Sequence, residues 1–235
     1  MSIGDALGAV RASIRASAAG AGRNPAEVRL LAVSKGHPAE AVREAYAAGH
    51  RDFGENYVQE LVGKARALDD LTDLRWHFIG HLQRNKARDV ARLATTIHTV
   101  DRVELARELD RRAEAPIDVL VEVNVAAEPQ KSGCLPGATR TLLDELRAIE
   151  KLRVVGLMAI PPATDDPEAA GPHFAALRRL AEQARAAGHT DVRELSMGMS
   201  YDFDVAVREG STWVRVGTAI FGARAPRAPA SETSG

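Results

Sequence analysis

The chain has 235 residues and a net charge of −1, a balance that points to neither nucleic acid nor an anionic membrane. Its one cysteine, Cys134, excludes an internal disulfide framework, and no apolar run approaches the ~20 residues of a membrane span. The N-terminus lacks the basic start and apolar centre of a secretory signal, so a cytoplasmic protein is expected.

Ile3, Leu7, Val10 and Ile14 recur at helical spacing, and Gly20 and Gly22 end that helix. Val28 to Lys35 reads as a short apolar strand, followed by a glycine and by Pro38, which suits a helix start. That helix carries Val42, Ala45 and Tyr46 inward, and Gly49 stands where a terminating glycine belongs. Arg51 to Phe53 is a brief strand running into Gly54-Glu55-Asn56. The next helix has Val58, Leu61, Val62 and Ala65 on one face. Leu74 to Gly80 reads as strand, Gln83 to Ala94 as helix and Thr95 to Val100 as strand. Asp101 and Glu104 then form a capping box for a helix ending near Ala113.

Ile117 to Asn124 is the clearest strand, and a loop broken by glycine and proline runs from Ala126 to Gly137. The next helix buries Leu142, Leu146 and Ile149. Arg153 to Ile160 is a strand stopped by Pro161-Pro162. Asp166-Pro167-Glu168 opens a long helix with Phe174, Leu177, Leu180, Ala181 and Ala184 inward. Glu194 to Ser200 and Trp213 to Phe221 are the last strands, with a short helix from Asp202 to Arg208 between them. From Ala223 the chain is rich in Pro, Ala and Ser, and disorder is expected over 223–235.

Eight strands alternating with helices imply a parallel sheet with right-handed crossovers. In this length they favour a single closed (β/α)8 TIM barrel over residues 1–222, of the size usual for that fold, about 250 residues. The helix ahead of the first strand fills the place of a missing last one.

In such a barrel, chemistry collects at the C-terminal ends of the strands. Those ends carry Lys35, Asn56, His81, Asp101, Asn124, Met158, Ser196 to Ser200 and Arg215 to Thr218. Lys35 ends its strand on a core-facing position, where an ammonium must find a counter-charge or act as a chemical amine. A structural ion pair is the commoner fate. Ser200, Gly217 and Thr218 stand after the last two strands, the usual phosphate corner of the fold, although Ser200 also suits an N-cap for the short helix. Arg215 needs an acceptor inside the barrel: Glu122, which alternation puts on the inner face, or a ligand atom at the mouth. His77 and His81, on a strand and its loop, do not share a face, so no metal site is expected. Cys134 reads as an ordinary loop thiol. A lysine beside a phosphate corner suggests a phosphosugar aldolase or a pyridoxal-phosphate protein, both of which work through a lysine imine. In the second case, donation from the permanently charged Arg215 to the pyridine nitrogen weakens the ring as an electron sink.

The motifs Ala32-Val33-Ser34-Lys35, Phe53-Gly54-Glu55-Asn56-Tyr57, Trp76-His77-Phe78-Ile79-Gly80, Lys131-Ser132-Gly133, Gly156-Leu157-Met158, Ser196-Met197-Gly198-Met199-Ser200 and Val214-Arg215-Val216-Gly217 resemble, in order, the pyridoxal phosphate homeostasis protein family. The resemblance implies a barrel like the N-terminal domain of alanine racemase and a pyridoxal 5'-phosphate cofactor held on Lys35 as an internal aldimine. It implies further that Arg215 faces the pyridine nitrogen, that Ser200, Gly217 and Thr218 bind the phosphate, and that Asn56, Ile79 and Met158 line the ring. His81 departs from the expected pattern and receives no role. The family is credited with cofactor supply rather than a settled reaction, so a monomer with pyridoxal-phosphate-dependent apoenzymes as recipients is expected. Related barrel racemases and decarboxylases complete their sites with a second domain and a partner subunit. The chain stops soon after Gly222, so no such domain is expected here. A racemase or decarboxylase acting on amino acids is the alternative.

Overall fold

The computed structural model of the chain describes residues 1–223. Eight parallel strands close into a barrel in sequence order: β1 (Arg29–Val33), β2 (Asp52–Glu55), β3 (Arg75–Phe78), β4 (Ala94–Val100), β5 (Ile117–Glu122), β6 (Leu152–Met158), β7 (Glu194–Met199) and β8 (Trp213–Val216). Pairing of Leu31 with Arg215 in β1 and β8 closes the ring. The helices are α1 (Ile3–Gly20), α2 (Ala39–Ala47), α3 (Val58–Ala67), α4 (Ala87–Leu93), α5 (Val103–Arg112), α6 (Thr139–Leu146), α7 (Gly171–Ala186), α8 (Phe203–Arg208) and α9 (Thr218–Phe221). Helix α1 starts with a capping box between Ser2 and Asp5 and packs against α2, α8 and α9, which seals the ring as expected. Among the described residues, no helix is long and apolar enough to cross a membrane.

The main core lies between sheet and helices, where Leu30, Ala32, Phe53 and Phe78 meet the apolar helix faces. The barrel interior is different. Leu31, Val33, Ile79 and Trp213 form a small apolar cluster there. They share the interior with the buried polar side chains of His77, His98, Glu122, Ser196 and Arg215. Most barrels of this type fill that space with branched apolar residues.

Four local expectations are corrected. β1 ends at Val33, and Lys35 lies in the turn beyond it. Asp101 and Glu104 make no capping box; Arg102 is the cap residue of α5, and Asp101 pairs with the Arg102 guanidinium. The last strand stops at Val216 and the apolar run after it winds into α9, since so short a run fits either state. Asp202, not Ser200, stands at the start of α8, and its carboxylate accepts from the Met199 amide at 2.6 Å. The tail predicted to be disordered lies, from residue 224, outside the described residues.

Candidate active site

The strand ends and the loops after them meet around a cavity of about 220 Å³. Lys35, Asn56, Ile79, Ser200, Arg215, Gly217 and Thr218 all line it. Met158 does not. It is fully buried at the end of β6, in register with Glu122 and Ser196, while Ile160 two residues on forms part of the wall. Met199, inside the Ser196 to Ser200 strand end, also lines the cavity, as do His37 and Tyr201, which nothing in the local pattern had marked. A larger groove of about 690 Å³ lies at the opposite end of the barrel, by the first residues of β5, β6 and β7, away from these groups.

Lys35 is half-buried. The turn that carries it rests on a buried ion pair, Lys64 Nζ to Glu55 Oε1 at 2.5 Å. Lys64 also donates to the Ser34 carbonyl at 2.7 Å, and the Ser34 hydroxyl donates to Glu55 at 2.6 Å. On the other side, the Gly36 amide donates to Glu60 at 2.7 Å, and Lys64 reaches the same carboxylate at 3.2 Å. Both chain neighbours of Lys35 are thus held by one network. Burial pushes the Glu55 carboxyl up, and the Lys64 ammonium opposes it. Lys64 had one sequence signal: it stands three residues after Leu61, on the apolar stripe of α3.

Backbone contacts fix the positions of two further lining residues. A Cβ on Gly80 would sit 2.0 Å from the Asn56 carbonyl oxygen, so glycine there lets β3 approach Asn56. A Cβ on Gly217 would lie 2.9 Å from the Val33 carbonyl. The Asn56 Oδ1 atom is buried at the cavity with no hydrogen-bond partner in the protein. Asn124 does something else: its amide braces the loop after β5 through the Glu128 backbone, donating at 2.8 Å and accepting at 3.1 Å.

At the corner expected to take a phosphate, the Ser200 hydroxyl accepts from the Gly217 amide at 3.3 Å. The Ile220 and Phe221 amides of α9 donate to the Gly217 carbonyl at 2.9 Å, while those of Thr218 and Ala219, in its first turn, have no acceptor within the helix. Arg215 is 4% exposed. It donates through Nη1 to Ser196 Oγ at 2.8 Å and through Nη2 to the Ala159 carbonyl at 3.0 Å. Glu122 forms no direct ion pair with it but acts on it through space. Burial lowers the Arg215 guanidinium to about 10, against the pull of Asp202 and Glu122, so it stays charged at neutral pH. Burial and the nearby Asp101 push Glu122 up to about 7, with Arg215 opposing, and its Oε2 has no hydrogen-bond partner.

His77 and His81 are separated. His77 lies inside the barrel against His98 at 3.0 Å, while His81 contacts the Ser132 hydroxyl at 3.0 Å on the rim. Among the described residues, no group of three or more His, Cys, Asp or Glu is arranged to hold a metal. Cys134 is half-buried, and burial raises its thiol, as befits an ordinary loop cysteine.

The model of the alanine racemase N-terminal domain matches residues 6–225. A protein of Pseudomonas aeruginosa named pyridoxal phosphate homeostasis protein is 49% identical over 232 residues, 97% of this chain and 99% of its own. Two solved structures of PipY from Synechococcus elongatus, one without PLP and one with PLP bound, superpose with TM-scores of 0.85 and 0.82 at 41% and 40% identity. Each covers 94% of this chain and 100% of its own. The chain therefore belongs to the alanine racemase N-terminal domain family and, within it, to the pyridoxal phosphate homeostasis proteins.

Proposed function

We propose that this chain binds pyridoxal 5'-phosphate through an imine on Lys35 and serves the cofactor's homeostasis, with little turnover of substrate. The observation that carries the reading is the set of groups on one 220 Å³ cavity: an amine, a charged guanidinium and a glycine–hydroxyl corner. These match the aldehyde, ring nitrogen and phosphate of that cofactor. The donor set fits at one more point, since the unpartnered Asn56 Oδ1 would accept from a phenolic hydroxyl. When bound, the cofactor supplies an electron-withdrawing ring that can stabilise a carbanion.

The chain's own residues divide the work. Lys35 holds the aldehyde carbon, and the Ser34 and Gly36 anchors set its position. Ser200, Gly217 and Thr218 take the phosphate through hydroxyls and backbone amides. Arg215 donates to the ring nitrogen and keeps its own proton, so the nitrogen gains no full positive charge and the ring remains a weak electron sink. That supports storage over catalysis. PipY with PLP bound supports the choice of cofactor.

On this reading residues 1–222 act as one cofactor-binding unit, a cytoplasmic monomer that hands its cargo to apoenzymes. The exposed apolar side chains of Tyr57, Leu135, Ile160 and Tyr201, on loops after the strands, and of Met199, the last residue of β7, support docking of a recipient there. The test is the absorbance spectrum of the purified protein before and after borohydride. A visible band that reduction abolishes is expected, and a Lys35→Ala variant with the same band contradicts the assignment. Rapid deuterium exchange at the α-carbon of an amino acid would favour a racemase or decarboxylase instead.

A further inference from the structure

A line of polar groups runs through the barrel from the mouth toward the first residues of the strands. Arg215 Nη1 donates to Ser196 Oγ at 2.8 Å, and Ser196 Oγ lies 2.8 Å from His98 Nδ1. His98 Nε2 lies 3.0 Å from His77 Nδ1, and His77 Nε2 lies 3.2 Å from Asp52 Oδ1. Asp52, the first residue of β2, is itself clamped by Arg75 through two hydrogen bonds of 2.7 Å. His77, His98, Ser196 and Arg215 are all nearly inaccessible to water. The Trp213 ring lies beside both imidazoles, with centroids 4.9 Å from His77 and 6.3 Å from His98. The Arg29 guanidinium stands 4.1 Å from the Trp213 ring centre.

The two ends decide the direction of every bond between them. A guanidinium has only donors, and an ionised carboxylate only acceptors. Burial works against the Asp52 charge, but hydrogen bonds from Arg75 and His77 outweigh it and hold the carboxyl well below its ordinary range. Burial likewise lowers both imidazoles, at His77 against the pull of Asp52, and so favours their neutral forms. Asp52 must then accept from His77 Nε2–H, which leaves His77 Nδ1 as an acceptor. His98 must donate to it from Nε2–H, which leaves His98 Nδ1 to accept from the Ser196 hydroxyl. The Ser196 oxygen is in turn the acceptor for Arg215. Every donor points from the cavity toward Asp52.

We propose that Ser196, His98 and His77 are positioning residues for Arg215, a one-way hydrogen-bond chain anchored on the Asp52–Arg75 pair that fixes the guanidinium at the cavity wall. A single reversed bond would leave two donors or two acceptors facing each other in a dry interior, so the chain is locked as a unit. A guanidinium donates whatever holds it, so the chain sets where Arg215 points and not what it offers: an N–H held at the cavity wall toward a ring nitrogen that accepts. The proposal rests on the reading of Arg215 as the ring-nitrogen partner, while the chain itself is a property of the unliganded protein.

The two are tested separately. Long-range proton–nitrogen NMR on the ligand-free chain should find both imidazoles neutral and protonated on Nε2 at about pH 7.5. A proton on Nδ1 of either ring, or a cationic ring, overturns the chain. Ser196→Ala should then weaken pyridoxal phosphate binding about tenfold, and Asp52→Asn, which alters no atom of the cavity, should weaken it by a smaller factor and shift the absorbance band of the bound cofactor. A lower melting temperature with unchanged affinity and band in both variants overturns the positioning role. If the unmodified chain binds no pyridoxal phosphate, the functional reading fails, and the NMR result still judges the chain.

Discussion

Lys64 and Glu55 meet at 2.5 Å beneath the turn that carries Lys35, both buried, in an ion pair that also grips the Ser34 carbonyl. Removing one member strands the other charge in the interior. Lys64→Met should cost about 3 kcal/mol or more in denaturant unfolding, and Glu55→Gln less, because Lys64 keeps the Glu60 carboxylate at 3.2 Å as a partner. Both should slow imine formation at Lys35, as read by stopped-flow absorbance. Unaltered rates in both variants would mean the network holds the fold and not the lysine.

Glu122 gives a pH signature. Its carboxyl is raised from 4.5 to about 7 in the folded state, so the native chain keeps a proton there that the unfolded chain loses. Its contribution to stability is therefore present below about pH 4.5, falls as pH rises, and levels off above about 7. The full loss is on the order of 3 kcal/mol. Glu122→Gln should flatten that slope and be the more stable protein at pH 8 in urea melts of the ligand-free chain. Arg215→Gln should push the Glu122 midpoint higher, since it removes the positive charge that opposes the shift.

The proposed phosphate corner can be separated from the lysine by the choice of ligand. Ser200→Ala should weaken binding of pyridoxal phosphate about tenfold while leaving pyridoxal, which lacks the phosphate, nearly unaffected. Equal losses for the two ligands in titrations would show that Ser200 serves the ring or the fold instead.

Gly80 tests how tightly strand β3 is seated on Asn56. A methyl there would lie 2.0 Å from a backbone carbonyl oxygen, which no side-chain rotation relieves. Gly80→Ala should destabilise the chain by about 3 kcal/mol or more and weaken cofactor binding as Asn56 shifts. A variant with unchanged urea midpoint would contradict this contact.

Much of this molecule was legible in its sequence, because barrel and rim follow from local rules. Period-2 and helical spacing gave eight alternating units, and counting strand ends placed Lys35, Arg215, Ser200 and Thr218 at one mouth. What escaped the sequence is what depends on distant residues. His98 meets Ser196 across 98 positions and Lys64 meets Ser34 across 30, separations that no local period records. Residues 218–221 were read as strand because four apolar and β-branched residues fit either state; in the structure they form the helix that opens at Gly217. Met158 follows the strand-end rule yet points into the packed interior, so the rule alone does not tell lining from support.

The central claim is the covalent bond at Lys35, and one measurement addresses it directly. The chain is purified with its cofactor, reduced with borohydride, digested and sequenced by tandem mass spectrometry. The account predicts a reduced pyridoxyl group on the peptide that holds Lys35, and on that lysine within it. The same group found on Lys64 or Lys131 instead, or on no lysine of a protein that still shows the visible band, would contradict it.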